Sequence, residues 1–281
     1  MKGQRLGLFA AVLVASPVIA GIAYTVLSAI GAVGPGRGGP SLVHVRNVLA
    51  DRATWSGLVW TLWVAFASTA LAFILAIVVA TVLRGDRRID RLARTFAIFP
   101  LPFPHVVVAL CAVLVLSQSG ILSRLTHAAG VHASPGDMPA LVYDRWGIGL
   151  IVAMTVKEFS FLVFIAFSVL ASRGVILEET ARSLGAGAIR TFRVATLPAL
   201  WRGLLPPAIA VFTFVAGNYE ATVLLAPSSP LALPLLTMES HSDPSLERRG
   251  EAYVLVLIAA MVSVCAVIVH EWVANRVEAV K

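Results

Sequence analysis

An all-α polytopic membrane protein with six transmembrane helices is the fold class this sequence predicts, on three observations. Of its 281 residues, 58% are hydrophobic and only 13% charged, and the mean hydropathy of +0.88 lies outside the range of soluble domains. Residues 6–36, 53–83 and 95–123 carry no formal charge, and each run exceeds the roughly 20 residues a helix needs to cross about 30 Å of hydrocarbon. The basic residues fall in blocks between the apolar runs, alternately dense and sparse.

The first span follows Lys2 and Arg5, which resemble the start of a signal peptide, but the uncharged run is too long for such a segment and an uncleaved anchor is expected. The loop "GPGRGGPSLVHVRNVLADRATW" begins with turn residues. It continues with Leu42, Val45 and Leu49 at helical spacing, predicting a short helix along the outer surface. Its G-x-G follows no strand, so no nucleotide site is expected. Spans two and three occupy 53–83 and 95–123, with His105, beside Pro102 and Pro104, read as a kinked helix entry. Residues 124–145, with Pro135, Gly136 and Pro139, read as irregular. The fourth span, 146–172, is broken by Lys157 and Glu158; the fifth, 203–226, contains Glu220; the sixth is 252–270. Between the last two, "APSSP" and "DPSLERR" frame a segment expected to dip back towards the membrane around Leu231 to Leu236. Residues 1–281 thus form a single transmembrane domain. Cys111 and Cys265 lie within spans and are expected to be small buried hydrophobes. His270-Glu271 has Ala274 where a zinc-binding helix would carry its second histidine, so no metal ligands are assigned.

The net charge of +7 could suggest nucleic acid, but its placement points to membrane orientation. Fourteen basic residues precede span one or follow spans two, four and six, against seven on the alternate side. The positive-inside rule therefore puts both termini, and the loop at 173–203, in the cytosol, with no nucleic-acid partner. No internal repeat is visible, which weakens the case for inverted-repeat carriers.

The cytosolic loop contains "EETARSLGAGAIRTFRVATLPAL", residues 178–200. Residues 175–184 favour a short helix with Leu177, Ala181 and Leu184 on one face, Gly185 and Gly187 permit a sharp turn, and a second short helix is expected to stop before Pro198. Such an elbow forms a knob able to seat in a groove of a soluble partner. The alternative is an interfacial helix whose arginines contact membrane lipid headgroups.

Glu179, Ala181, Gly185, Phe192, Leu197 and Pro198 stand at the spacing E-x-A-x-x-x-G-x-x-x-x-x-x-F-x-x-x-x-L-P. This resembles the EAA motif, the cytoplasmic loop signature of type I importer permeases in the ABC transporter superfamily. Weaker similarity to the family covers "WTLWVAFASTALAFILAIVVATVLR" at 60–84, "FPLPFPHVVVAL" at 99–110 and "GIL" at 120–122. Thr180 replaces the usual alanine and Ala195 the usual isoleucine, both keeping the position small or apolar. "SLGA" at 183–186 is closer to polyamine, ferric, thiamine and inorganic-anion importers than to sugar importers, which usually read "DGA". The resemblance implies the type I permease fold, a bacterial-type inner membrane location and ATPase coupling through Glu179, Ala181, Arg182, Gly185, Ala186, Phe192, Leu197 and Pro198. It also implies two ATPase subunits, a second permease subunit, alike or different, and an extracytoplasmic solute-binding protein. No Walker A sequence occurs here, so ATP and Mg would belong to the partner ATPase, and this chain would carry neither cofactor nor catalytic residues.

Lys157 and Glu158 lie in mid-span, where each charge costs roughly 2.5 to 3.5 kcal/mol on insertion scales. Adjacent helical positions do not face one another, so both need partners on other helices or a water-filled cavity. Glu220 is the candidate partner of Lys157, about 9 Å away in depth. In one reading Lys157, Glu158, Asn218, Tyr219 and Glu220 line a translocation pathway or its gate; in the other, Lys157 and Glu220 form a structural ion pair. A further alternative is an ion-gradient-driven secondary transporter relaying protons through Lys157, Glu158 and Glu220. An intramembrane enzyme would need a nucleophile and base, or metal ligands, at workable spacing, and none is present.

Overall fold

The computed structural model describes residues 2–34, 39–85 and 87–278; Arg37 and Lys281, counted in the charge asymmetry, lie outside them. The described elements are helical: α1 (Lys2–Ala29), α2 (Val43–Ala50), α3 (Arg52–Val82), α4 (Arg88–Ile98), α5 (His105–Leu116), α6 (Ile121–Ala128), α7 (Ile148–Val169), α8 (Val175–Ser183), α9 (Ala188–Thr191), α10 (Leu197–Ala216), α11 (Glu220–Leu225), α12 (Leu233–Ser242) and α13 (Leu246–Glu278). Among the described residues, six stretches are long and apolar enough to cross a bilayer: Val12–Ala29, Arg52–Val82, His105–Ala128, Ile148–Ser172, Ala188–Ala216 and Leu246–Trp272. The chain is therefore a multi-pass membrane protein.

Two compact units are distinguished, Met1–Leu58 with Leu233–Val262 and Val59–Ala232 with Ser263–Lys281. In the first, Asn47 donates to Glu251 at 2.9 Å, and the rings of Tyr24 and Tyr253 meet edge to face at 5.8 Å. The expected helix after span one forms as α2, but with a different face inward: His44 and Val48 are buried, while Leu42 and Leu49 are exposed. Its neighbour is α13, whose Gly250 leaves room for the His44 ring; a Cβ there would come within 2.6 Å of Nε2.

In the second unit, α7 is the central helix, packed against α4, α5, α10 and α11. A stripe of small residues on α3, Ala65, Ser68, Ala72, Ala76 and Ala80, is fully buried, which lets helix backbones approach closely without a large side chain between them. At the start of α7, Gly149 donates its N–H to the Leu141 carbonyl at 2.7 Å, and a Cβ on Gly149 would lie 2.4 Å from that oxygen.

Four sequence expectations change here. The third span is 105–128 rather than 95–123, because Pro100, Pro102 and Pro104 interrupt the helix; residues 88–98 form the separate α4. The helical stretch that carries the fifth span is 188–216 rather than 203–226, so the span ends at Gly217 and its first residues belong to the elbow. Its helix does not stop before Pro198: a π turn over Phe192–Thr196 joins α9 to α10, and the Leu197 N–H reaches back five residues to Phe192. The hydrogen-bond ladder changes register there, so the donor that proline lacks falls where the regular pattern is already broken. Lastly, Cys111 and Cys265 are exposed in this chain; on α5 the buried face is taken by Ala109 and Ala112 instead.

Candidate functional site

The loop after α7 folds as the predicted elbow. Helix α8 ends at Ser183, and Gly185 adopts φ +82°. Gly185 N–H donates to the Arg182 carbonyl at 2.9 Å and Ala186 N–H to the Ala181 carbonyl at 3.0 Å, a paired closure that satisfies the last carbonyls of the helix and requires a left-handed residue. The turn projects Leu184, 84% exposed, and Ile189, 73% exposed, into the surroundings. Of the motif residues, Glu179, Arg182 and Gly185 are exposed, while Ala181, Ala186, Phe192, Leu197 and Pro198 are half-buried.

Glu178, which the sequence reading passed over, anchors this elbow. Its Oε1 accepts hydrogen bonds from Arg84, just beyond α3, and from the Thr196 hydroxyl in the π turn, both at 2.5 Å. Burial works against its charge, but the hydrogen bonds from Thr196 and Arg84 and the positive charges of Arg84 and Arg182 prevail and hold its pKa below the ordinary value. The only sequence sign was a doublet of glutamates, of which the motif uses the second.

Within the span, Lys157 and Glu158 are each 6% exposed. Lys157 Nζ donates to the Leu101 carbonyl at 2.6 Å and the Pro100 carbonyl at 3.2 Å, and Glu158 Oε1 lies 2.9 Å from His105 Nε2. Together with Leu101, Phe161, Ala210, Val211 and Phe214 these three residues line a cavity of about 350 Å³. The expected pairing of Lys157 with Glu220 does not occur: Glu220 is exposed at the start of α11, beyond the end of the fifth span's helix. Gly217 ends α10, and the Asn218 side chain accepts the Ala221 N–H at 2.9 Å to start α11. Asn218 and Tyr219 thus form a helix break, and neither they nor Glu220 line that cavity. His105, legible from sequence as a helix entry after three alternating prolines, is a second functional residue whose partner, Glu158, the sequence did not reveal.

A family model described as binding-protein-dependent transport system inner membrane component matches residues 70–279. The chain belongs to that family. The inner membrane ABC transporter permease protein YnjC of Escherichia coli (strain K12) is 24% identical to it over 238 residues, covering 83% of this chain and 44% of YnjC. The probable sulfate transport system permease protein cysT of Chlorokybus atmophyticus is 29% identical over 203 residues, covering 69% of this chain and 65% of cysT. The chain therefore matches less than half the length of YnjC and just under two thirds of cysT. Among solved structures, a chain of a bacterial ABC transporter involved in the import of the acidic polysaccharide alginate superposes with a TM-score of 0.77 at 17% identity, over 97% of this chain and 96% of that one. The fold is that of an ABC importer transmembrane subunit. Membership in a binding-protein-dependent family does not favour the ion-gradient-driven alternative.

Proposed function

We propose that this permease-family chain is the transmembrane subunit of an ATP-driven importer, and that it couples cytosolic ATPase subunits to a solute pathway through the 178–198 loop. The observation that carries the reading is the elbow: its apolar tip, Leu184 and Ile189, is exposed while its base is fixed by the Glu178 contacts. A rigid, exposed apolar knob flanked by charge suits a groove in a soluble partner better than a headgroup layer, where a fixed base would serve no purpose. Glu179, Ala181, Arg182, Gly185, Ala186, Phe192, Leu197 and Pro198 are its coupling residues. Two ATPase subunits carrying ATP and Mg, a second permease subunit and an extracytoplasmic solute-binding protein complete the assembly. The chain works as a single transmembrane domain with both termini cytosolic, as the charge blocks suggest. Lys157 and Glu158 belong to the gate of the pathway, and the unwound residues Asn218 and Tyr219, with Glu220 at the start of α11, lie along it away from that cavity.

The substrate belongs to the polyamine, ferric, thiamine or inorganic-anion group rather than to the sugars. "SLGA" at 183–186 supports this; the relatives include permeases named for sulfate and for galactooligosaccharides, and the alginate importer's likeness is one of fold. The test is reconstitution with the ATPase and binding protein. Gly185→Val forces a branched side chain into a left-handed turn, and Glu179→Arg reverses charge on the exposed face. Each is expected to lower solute-stimulated ATP hydrolysis and uptake at least about tenfold while assembly persists. Survival of both activities in both variants refutes the coupling role.

A further inference from the structure

The joint between α4 and α5, residues 99–104, contains Pro100, Pro102 and Pro104 and therefore lacks three backbone donors. The Pro100 carbonyl retains one backbone bond, from Phe103 N–H at 3.3 Å; proline at 104 removes the donor that a continuing helix would aim at it from four residues on. The ammonium of Lys157 fills this deficit, reaching both the Pro100 and Leu101 carbonyls from the facing helix α7. One residue on and about 100° around α7, Glu158 takes the other side of the joint through His105, the first residue of α5. The charges also suit the helix ends they meet, a cation at the carbonyl end of α4 and a carboxylate at the amino end of α5.

We infer that Lys157 and Glu158, with His105, are positioning residues that fasten this proline-opened joint and thereby set one wall of the cavity, rather than groups that present their charge to the solute. Two of the three donors on the ammonium are already used by the protein backbone. Leu101 of the joint and His105, the first residue of α5, line the cavity directly, together with Ala210, Val211 and Phe214 of α10. Movement of α4 against α5 therefore changes the cavity's wall without any change in its own side chains. The inference rests on the proposed transport role only in treating this cavity as part of the pathway.

The experiment restores the missing donor. In the assembled complex with Cys111 and Cys265 replaced by serine, spin labels at Leu92 on α4 and Phe164 on α7, both exposed, report the spacing of the two helices. Lys157→Met is expected to broaden that distance distribution and to lower uptake about tenfold, since it removes the ammonium donor shared by two half-buried carbonyls. Adding Pro104→Ala, which returns a backbone N–H to the joint, is expected to narrow the distribution and recover uptake. A residue that touches the solute would not be rescued in this way. The proposal is overturned if Lys157→Met leaves the distribution unchanged, or if Pro104→Ala restores neither spacing nor uptake. Should Lys157→Met fail to assemble, recovery of assembly by Pro104→Ala supports the fastener and lack of recovery overturns it. If spacing responds as expected but wild-type uptake does not depend on ATP, the transport reading fails and the fastener stands.

Discussion

Glu178 and Glu179 are neighbours in sequence with opposite settings: the first is buried against Arg84 and Thr196, the second exposed beside the tip of the elbow. The difference decides what each substitution does. Glu178→Ala leaves the Thr196 hydroxyl and the Arg84 guanidinium without their acceptor and is expected to destabilise the elbow by about 1–3 kcal/mol, read as a loss of amide protection over 178–196. Because its folded pKa is lowered from the ordinary 4.5, the ionised carboxylate contributes stability that is fully present above that pH and is lost as pH falls through the lower folded value. The melting-temperature difference between wild type and Glu178→Gln should therefore be positive at neutral pH and shrink below about 4.5; a difference unchanged by acid would show that the ionised form does not hold the loop. Lys157 illustrates the same dependence on surroundings, since its partners are two carbonyls rather than the carboxylate that depth alone suggested.

Proline and glycine set the boundaries of the elements, though not always where a local rule places them. Residues 99–104 stop a helix because three alternating prolines leave too few donors to continue, whereas the single Pro198 is absorbed by a π turn and the helix runs on to Ala216. Pro198→Ala should accordingly change stability by less than about 1 kcal/mol. Hydrogen exchange should show a weak point over Phe192–Thr196 with stronger protection on the α10 side; a protected π turn followed by an unprotected start of α10 would contradict the continuous helix. Glycine at the start of α7 matters for space rather than flexibility. A Cβ at 149 meets a backbone carbonyl, which cannot swing aside as a side-chain tip can. Gly149→Ala is expected to cost about 1–3 kcal/mol in a thermal melt, whereas Gly187→Ala, with nothing within 4 Å, should leave the melt nearly unchanged.

For the whole molecule, charge blocks and span order specify an orientation that can be tested directly. Tags at residue 1, within 85–92 and at 281 should be shielded from protease added outside, and one near 135 should be cut. An externally accessible N-terminus would reverse the assignment and place the elbow on the wrong side for an ATPase.

The sequence alone determined the number of spans, the presence of the elbow and the family resemblance, because each is a local quantity: apolar length against bilayer thickness, a glycine at a helix end, residue types at fixed spacing. Tertiary structure decided which charged and polar groups meet. The Arg84–Glu178 contact closes over 94 residues and the His105–Glu158 contact over 53, and no periodicity within one helix encodes which face of another it will touch. The same reasoning covers the helix ends that were misplaced. Whether a proline ends a helix depends on what replaces its missing donor, a π turn at 198 and the ammonium of a facing helix at 100–104, and in a bilayer, which supplies no water to satisfy the freed carbonyls, only the packed fold can provide that replacement.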